Sequence, residues 1–135
     1  MKFFATIGIL LTLALTSCSA SVSLPSAPDA NNPDCAKVIV RLPQQTDNQN
    51  RRTTTSQSTA AWGEPTAITL TCGVDPVEVS QLACITAGGV DWLVDESAKP
   101  IYRFITFGRK PATIITIDSK KASGASVLDD LGQAV

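Results

Sequence analysis

The chain has no histidine among its 135 residues. That removes histidine-based nucleophile activation and histidine metal ligation together. Aromatic residues make up only 5% of it, so few side chains are available to stack on a ligand. There is no apolar run of the roughly 18 residues that a spanning helix needs. Basic residues do not exceed acidic ones, with 11 Lys and Arg against 12 Asp and Glu. No positive field of the kind that holds nucleic acid follows from that balance. No CxxC pair occurs, and Cys35, Cys72 and Cys84 lack a fourth ligand at zinc-site spacing. No cofactor and no metal are expected.

What is present begins at the N-terminus. Met1-Lys2 supplies a positive start, residues 3–15 are almost wholly apolar, and Leu15-Thr16-Ser17-Cys18 follows at once. This is the pattern of a secretory signal with a small-residue cleavage site. The cysteine after the cut makes it a lipobox, in which the Cys18 thiol takes a diacylglyceryl group. Acyl chains contribute about 0.8 kcal/mol per buried methylene, which anchors a protein without a spanning helix. Residues 1–17 are therefore read as a lipoprotein signal peptide. The protein is expected on the outer face of a bacterial cell membrane, held there by lipid. Loss of Lys2 with the leader takes the formal charge from −1 to −2.

Residues 18–32 read as a flexible tether, rich in Ser, Ala, Pro and Asn and with little to bury. A single domain is expected over residues 33–135. Asn32 is placed to cap a helix and Pro33 suits its first position. Cys35, Val38, Ile39 and Leu42 recur at helical spacing, and Pro43 ends the run. Residues 44–59 contain no apolar side chain and read as a loop, with Arg51 and Arg52 as sites of early proteolysis.

Beyond that loop the period changes to two. Ile68, Leu70, Cys72 and Val74 alternate with Thr69, Thr71 and Gly73, the pattern of a half-buried strand. Residues 82–85, 90–94, 102–107 and 112–117 read as further strands, with Gly88-Gly89 as a turn. Ser126 and Asp129 resemble a capping box at the start of a C-terminal helix carrying Leu128, Leu131 and Val135. The expected fold class is α+β. It is a small two-layer domain, an antiparallel sheet of four to five strands with an N-terminal and a C-terminal helix.

With Cys18 reserved for lipid, three cysteines remain. One disulfide is the default outside the cytoplasm. Cys72–Cys84 is the expected pair, since a turn near Glu78 would set them on adjacent strands and leave Cys35 as the third thiol. Cys35–Cys72 and Cys35–Cys84 are the alternatives, and both would staple the first helix to the sheet.

Four strings occur in order: Ala61-Trp62-Gly63-Glu64-Pro65, Cys72-Gly73-Val74, Gly89-Val90-Asp91-Trp92 and Phe107-Gly108-Arg109-Lys110-Pro111. With the lipobox they resemble a family of secreted actinobacterial lipoproteins, the domain of unknown function 3515. The resemblance covers Cys35 to the C-terminus and implies a cell-envelope protein. It brings no substrate or catalytic residue. Relatives often carry Arg before the cysteine where this chain has Thr71, so no role for a charge is assigned there.

Candidate functional residues come from chemistry alone. Arg109 is suited to hold a carboxylate or phosphate bidentately, or to pair with Asp91 or Glu64. Trp62 and Trp92 are ligand platforms or packing anchors. Glu64, Asp91, Asp95 and Glu96 are the acids from which a hydrolytic pair would be drawn, although no spacing sets two of them across a cleft. The expectation is a non-enzymatic envelope module whose binding face includes Trp62, Glu64 and Arg109 and which takes an envelope protein or glycan partner. The alternative is an envelope hydrolase or thiol enzyme with an unrecognised site.

Overall fold

The structure is a computed structural model that describes residues 19–135. The lipobox and Cys18 lie outside the described residues. The chain runs through α1 (Pro33–Arg41), β1 (Gln45–Thr46), β2 (Gln49–Arg52), β3 (Thr59–Trp62) and β4 (Ile68–Val74). It continues through β5 (Ala83–Ala87), β6 (Val90–Ala98), β7 (Ile101–Thr106), β8 (Ala112–Asp118) and α2 (Gly124–Gly132). The eight strands form one antiparallel sheet in the order β1-β2-β3-β4-β8-β7-β6-β5.

The expected small two-layer α+β domain with a sheet of four to five strands is therefore corrected to a fold that is mostly one eight-stranded antiparallel sheet, with two short helices. The four-strand run from β5 to β8 and the strand β4 carry the alternation that sequence reading detects. The extra strands β1, β2 and β3 come from the polar segment and its edge. Asp47 and Asn48, both at positive φ, turn the chain between β1 and β2. Thr46 and Thr59 are buried without apolar side chains, through hydroxyl bonds. Thr46 Oγ1 donates to Asp130 Oδ2 at 2.8 Å and Thr59 Oγ1 to the Ser56 carbonyl at 2.6 Å. Backbone pairing and buried hydroxyls do here what apolar periodicity does elsewhere.

Residues 19–32, expected as a flexible tether, lie against the sheet. Val22 donates to the Thr53 carbonyl and accepts from Thr55 N–H, at 2.9 and 3.1 Å, and Asp29 N–H donates to the Gly73 carbonyl at 2.9 Å. Ser58 Oγ donates to the Ala30 carbonyl at 2.5 Å. The crossing is close enough that a Cβ on Gly73, whose φ is +100°, would sit 2.5 Å from the Asp29 carbonyl carbon.

The first helix forms as its sequence dictates. Asn32 Oδ1 accepts from Asp34 N–H at 2.9 Å, Pro33 opens the helix, and Cys35 and Val38 face the core. The second starts earlier than expected, with Ser123 rather than Ser126 as N-cap and with no side-chain cap of its own. Asp47 Oδ2 accepts from Ser123 N–H instead, at 2.7 Å. The helix α2 contacts both β1 and β5, which are the two edges of the sheet. The sheet must therefore curl around it, and Val127, Leu128 and Leu131 fill the hollow with Trp62, Trp92, Leu70 and Ile115.

Two constraints fix this packing. Cys35 and Cys72 form the disulfide, with Cα atoms 5.6 Å apart, and Cys84 is free and exposed. The expected Cys72–Cys84 pairing is corrected. The segment after β4 does not turn back as a hairpin, so β5 lies at the far edge of the sheet, with three strands between it and β4. The second constraint is at the β5–β6 turn, where a Cβ on Gly88 would meet the Leu128 carbonyl oxygen at 2.5 Å.

Each constraint has an expected consequence. Non-reducing peptide mapping should return Cys35–Cys72. With the two cysteines separated by 37 in sequence, Cys35→Ser with Cys72→Ser should lower the unfolding free energy by about 4 kcal/mol on the chain-entropy account. Denaturant titration measures it. Gly88→Ala should cost at least about 2 kcal/mol, because backbone cannot move aside. Gly89→Ala is the control: nothing lies within 4 Å of its Cβ position, so only the positive-φ strain of about 1 kcal/mol remains.

Candidate functional site

The disulfide places α1 alongside the sheet end where β4 finishes and β8 begins. Asp34, Lys37 and Arg41 lie three and four residues apart on α1 and share one side of it. Across from them the β7–β8 turn carries Arg109, Lys110 and Pro111. Gly108, at φ +69°, gives that turn a left-handed step available without strain to glycine. The two sets of side chains line one cleft of ≈290 Å³, with Val38, Cys72 and Thr113 also lining it. Thr113 is 1% exposed, and its N–H donates to Thr106 Oγ1 at 2.9 Å, so this side of the cleft is rigid.

Four of the side chains around the cleft are basic and one is acidic. Lys37 Nζ pairs with Asp34 at 2.7 Å. Arg109 Nη1 donates to the Val135 backbone oxygen at 3.0 Å, and Val135 also lines the cleft. Arg41 and Lys110 have no ion pair among the described residues. Three other basic groups are matched locally. Arg103 pairs with Asp95 at 3.5 Å, Lys99 with Glu96 at 2.5 Å, and Lys121 with Asp118 at 3.1 Å. The bond from Lys121 holds the Asp118 carboxyl below its ordinary range. Hydrogen bonds from Ser97, then the field of Arg103, do the same for Asp95. Glu96 raises Lys99. The α1/β7–β8 cleft is therefore a place where four basic side chains gather around one acidic side chain.

The residues expected to share a binding face are separated. Arg109 lies at the cleft. Trp62 is fully buried, with Nε1 donating to the Pro43 carbonyl at 3.2 Å. It packs in the core, as does Trp92, whose Nε1 donates to the Ala87 carbonyl at 3.0 Å. Glu64 sits in the β3–β4 turn, at the opposite end of the sheet from Arg109, and accepts from Ser19 Oγ at 3.4 Å. Neither Asp91 nor Glu64 pairs with Arg109. Asp91 accepts from Thr86 Oγ1 at 2.6 Å, and Asp95 and Glu96 hold their own cations, so the structure brings no two of these acids across a common cleft. No group of three or more His, Cys, Asp or Glu is placed to hold a metal ion among the described residues.

Sequence reasoning missed Lys37, Arg41 and Lys110. The signal available was the Lys37/Arg41 spacing of four on the side of α1 away from Leu42, and Lys110 beside Arg109. Neither pointed to the other without the disulfide.

Arg51 and Arg52, expected in a cleavable loop, are structural. Arg51 donates to the Leu42 and Ile39 carbonyls at 3.2 and 3.3 Å, closing the C-terminus of α1, and burial lowers its pKa. Arg52 donates to the Gly63 and Ala20 carbonyls at 3.2 and 2.7 Å. Limited trypsin digestion of the folded protein should leave the Arg51–Arg52 site intact while cutting at exposed Lys and Arg. Arg51→Ala should destabilise by about 1–3 kcal/mol, seen as an earlier denaturant midpoint.

The architecture and cleft define a small antiparallel-sheet domain with two helices and one basic surface cleft. A family model described as protein of unknown function (DUF3515) matches residues 3–135, and the chain belongs to that family. No curated protein and no solved structure matches the chain. Among the described residues, no helix is long and apolar enough to cross a membrane.

Proposed function

We propose that this protein is an actinobacterial cell-envelope lipoprotein, anchored through Cys18, that acts without catalysis by binding a phosphate-bearing ligand in the α1/β7–β8 cleft. The observation that carries the reading is the gathering of Lys37, Arg41, Arg109 and Lys110 around one cleft with a single acid, Asp34. Arginine forks suit phosphate oxygens, and lysine adds a mobile point charge. The lipobox supplies the location, where phosphate is carried both by anionic lipid headgroups and by wall polymers. The partner named by this chemistry is a glycan or lipid bearing phosphodiesters rather than a nucleic acid, because the chain is net acidic.

Full chain in detergent should bind soluble glycerol-phosphate oligomers, phosphatidylglycerol vesicles, or both, and lose that binding as salt rises. The two probes separate a polymer source from a lipid source. Arg41→Ala with Lys110→Ala should weaken binding by about tenfold or more with little change in thermal midpoint, since neither side chain is paired. Equal binding by this variant would remove the cleft from the reading, and turnover of either probe would overturn its non-catalytic part. Cys18→Ala should leave the membrane fraction. A variant that stays there, processed as before, would overturn the anchor.

A further inference from the structure

The two edges of the sheet are not alike. Natural sheets protect their edges by shortness, charge or cover. The β1 edge has only two residues, and its Thr46 is tied to Asp130 of α2. The β5 edge has five residues, of which Ala83 to Thr86 are exposed. Not one of residues 79–90 is charged, and Leu82 and Ile85 are 40% and 41% exposed. Cys84 stands in the middle of this stretch as an exposed, unpaired thiol.

The hairpin register says which backbone groups this edge offers. Ala87 pairs with Val90 across Gly88 and Gly89, and both glycines have positive φ, +59° and +75°. That is a two-residue turn of the primed type, in which the closing pair exchanges both hydrogen bonds. Hydrogen-bonded and non-hydrogen-bonded pairs then alternate along the ladder. Ala87, Ile85 and Ala83 bond to β6. The N–H and C=O groups of Cys84 and Thr86 point away from β6, toward the open edge.

We propose that β5 is a self-association edge, pairing antiparallel with β5 of a second copy across a two-fold axis at Cys84. The geometry is self-complementary. With Cys84 opposite its own equivalent, the outward groups of each Cys84 bond to one another, and Thr86 lies opposite the partner copy's residue 82, just before β5, whose N–H exchanges its bond to Ser80 Oγ for the Thr86 carbonyl. An isologous contact needs one surface that complements itself, and an uncharged strand meets its copy without like-charge repulsion. The leftover thiol is a second, independent pointer, since an odd cysteine in an exported chain signals a contact between molecules. Five paired residues make a small interface, so the dimer is weak and transient.

Sedimentation of the full chain in mild detergent tests this at concentrations up to about 100 μM. A concentration-dependent dimer is expected. A short bis-maleimide, each of whose alkenes adds one thiol, should give a dimer cross-linked at Cys84, absent from Cys84→Ser. Cys84→Lys sets two like charges opposite each other on the axis and should weaken dimerisation by about tenfold or more. Thr86→Pro removes an outward N–H without touching the β6 ladder, a position where an edge strand accepts proline, and should do the same. Circular dichroism confirms that the variants are folded. If Thr86→Pro unfolds, Cys84→Lys decides alone. A wild-type chain that stays monomeric throughout, or a folded Cys84→Lys variant that dimerises as the wild type does, overturns the proposal.

Discussion

The rest of the molecule depends on the pairing of β4 with β8. Without it the chain would hold two separate antiparallel runs, β1 to β4 and β5 to β8, each with one face to bury and nothing to bury it against. The register Ile68↔Ile117 and Leu70↔Ile115 sets four large aliphatic side chains, all within 1% of fully buried, at the centre of the sheet. It is also the least local strand pairing in the fold, running from Ile68↔Ile117 to Val74↔Ala112. Loop closure over that distance opposes it, and only the burial that follows from joining the two runs offsets the loss. The curl of the sheet has the same origin. Eight twisted strands, each rotated from the last, bring β1 and β5 round to the same helix, and α2 fills the hollow between them.

That central pairing was only half legible in the sequence. The alternation Ile68-Leu70-Cys72 and the run Ile114-Ile115-Ile117 announce strands, but alternation says nothing about which strands are neighbours. Sequential hairpins would set β4 beside β5, and the Cys72–Cys84 expectation followed from that assumption. The chain instead leaves β4, crosses to the far edge and returns strand by strand. The polar segment failed for a different reason. Residues 44–59 contain no apolar side chain, so a search for hydrophobic period finds nothing there. Its order comes from Asp47 and Asn48 in the turn, from Thr46 and Thr59 hydroxyls, and from two arginines aimed at carbonyl groups. The capping of α1 by Asn32 and Pro33, by contrast, is local chemistry and was readable directly.

The candidate site divides along the same line. Arg109 could be singled out because Gly108 and Pro111 mark its turn and because arginine suits anions. Its neighbours could not, because Lys37 and Arg41 belong to a helix seventy residues earlier. What joins them is the Cys35–Cys72 bond, and Cys72 itself lines the cleft. Residue type and position in a turn group Trp62 and Glu64 with Arg109, yet β4 and β8 run the length of the sheet between them. Sequence proximity to a glycine turn is a fair guide to exposure, and Glu64 is exposed. It gives no guide to which end of a strand a turn occupies.

The arrangement of charge carries one further step. Three cations elsewhere, Lys99, Arg103 and Lys121, sit beside acids three to eight residues away in sequence, so that each pair forms wherever its local segment forms. The cleft is assembled the other way. Its positive groups come from two elements distant in sequence, and bringing them together raises their mutual repulsion. Exposed like charges cost little singly in water, but they are not gathered by any gain of their own. The disulfide and the Val38 and Leu42 contacts of α1 with the core hold them there, and under the proposed function a bound anion would relieve the repulsion. A surface of this kind favours a charged ligand through relief of repulsion as well as through new bonds. Under the proposed function, the cleft's affinity would depend on the rigidity of α1 against β4, not on any single arginine.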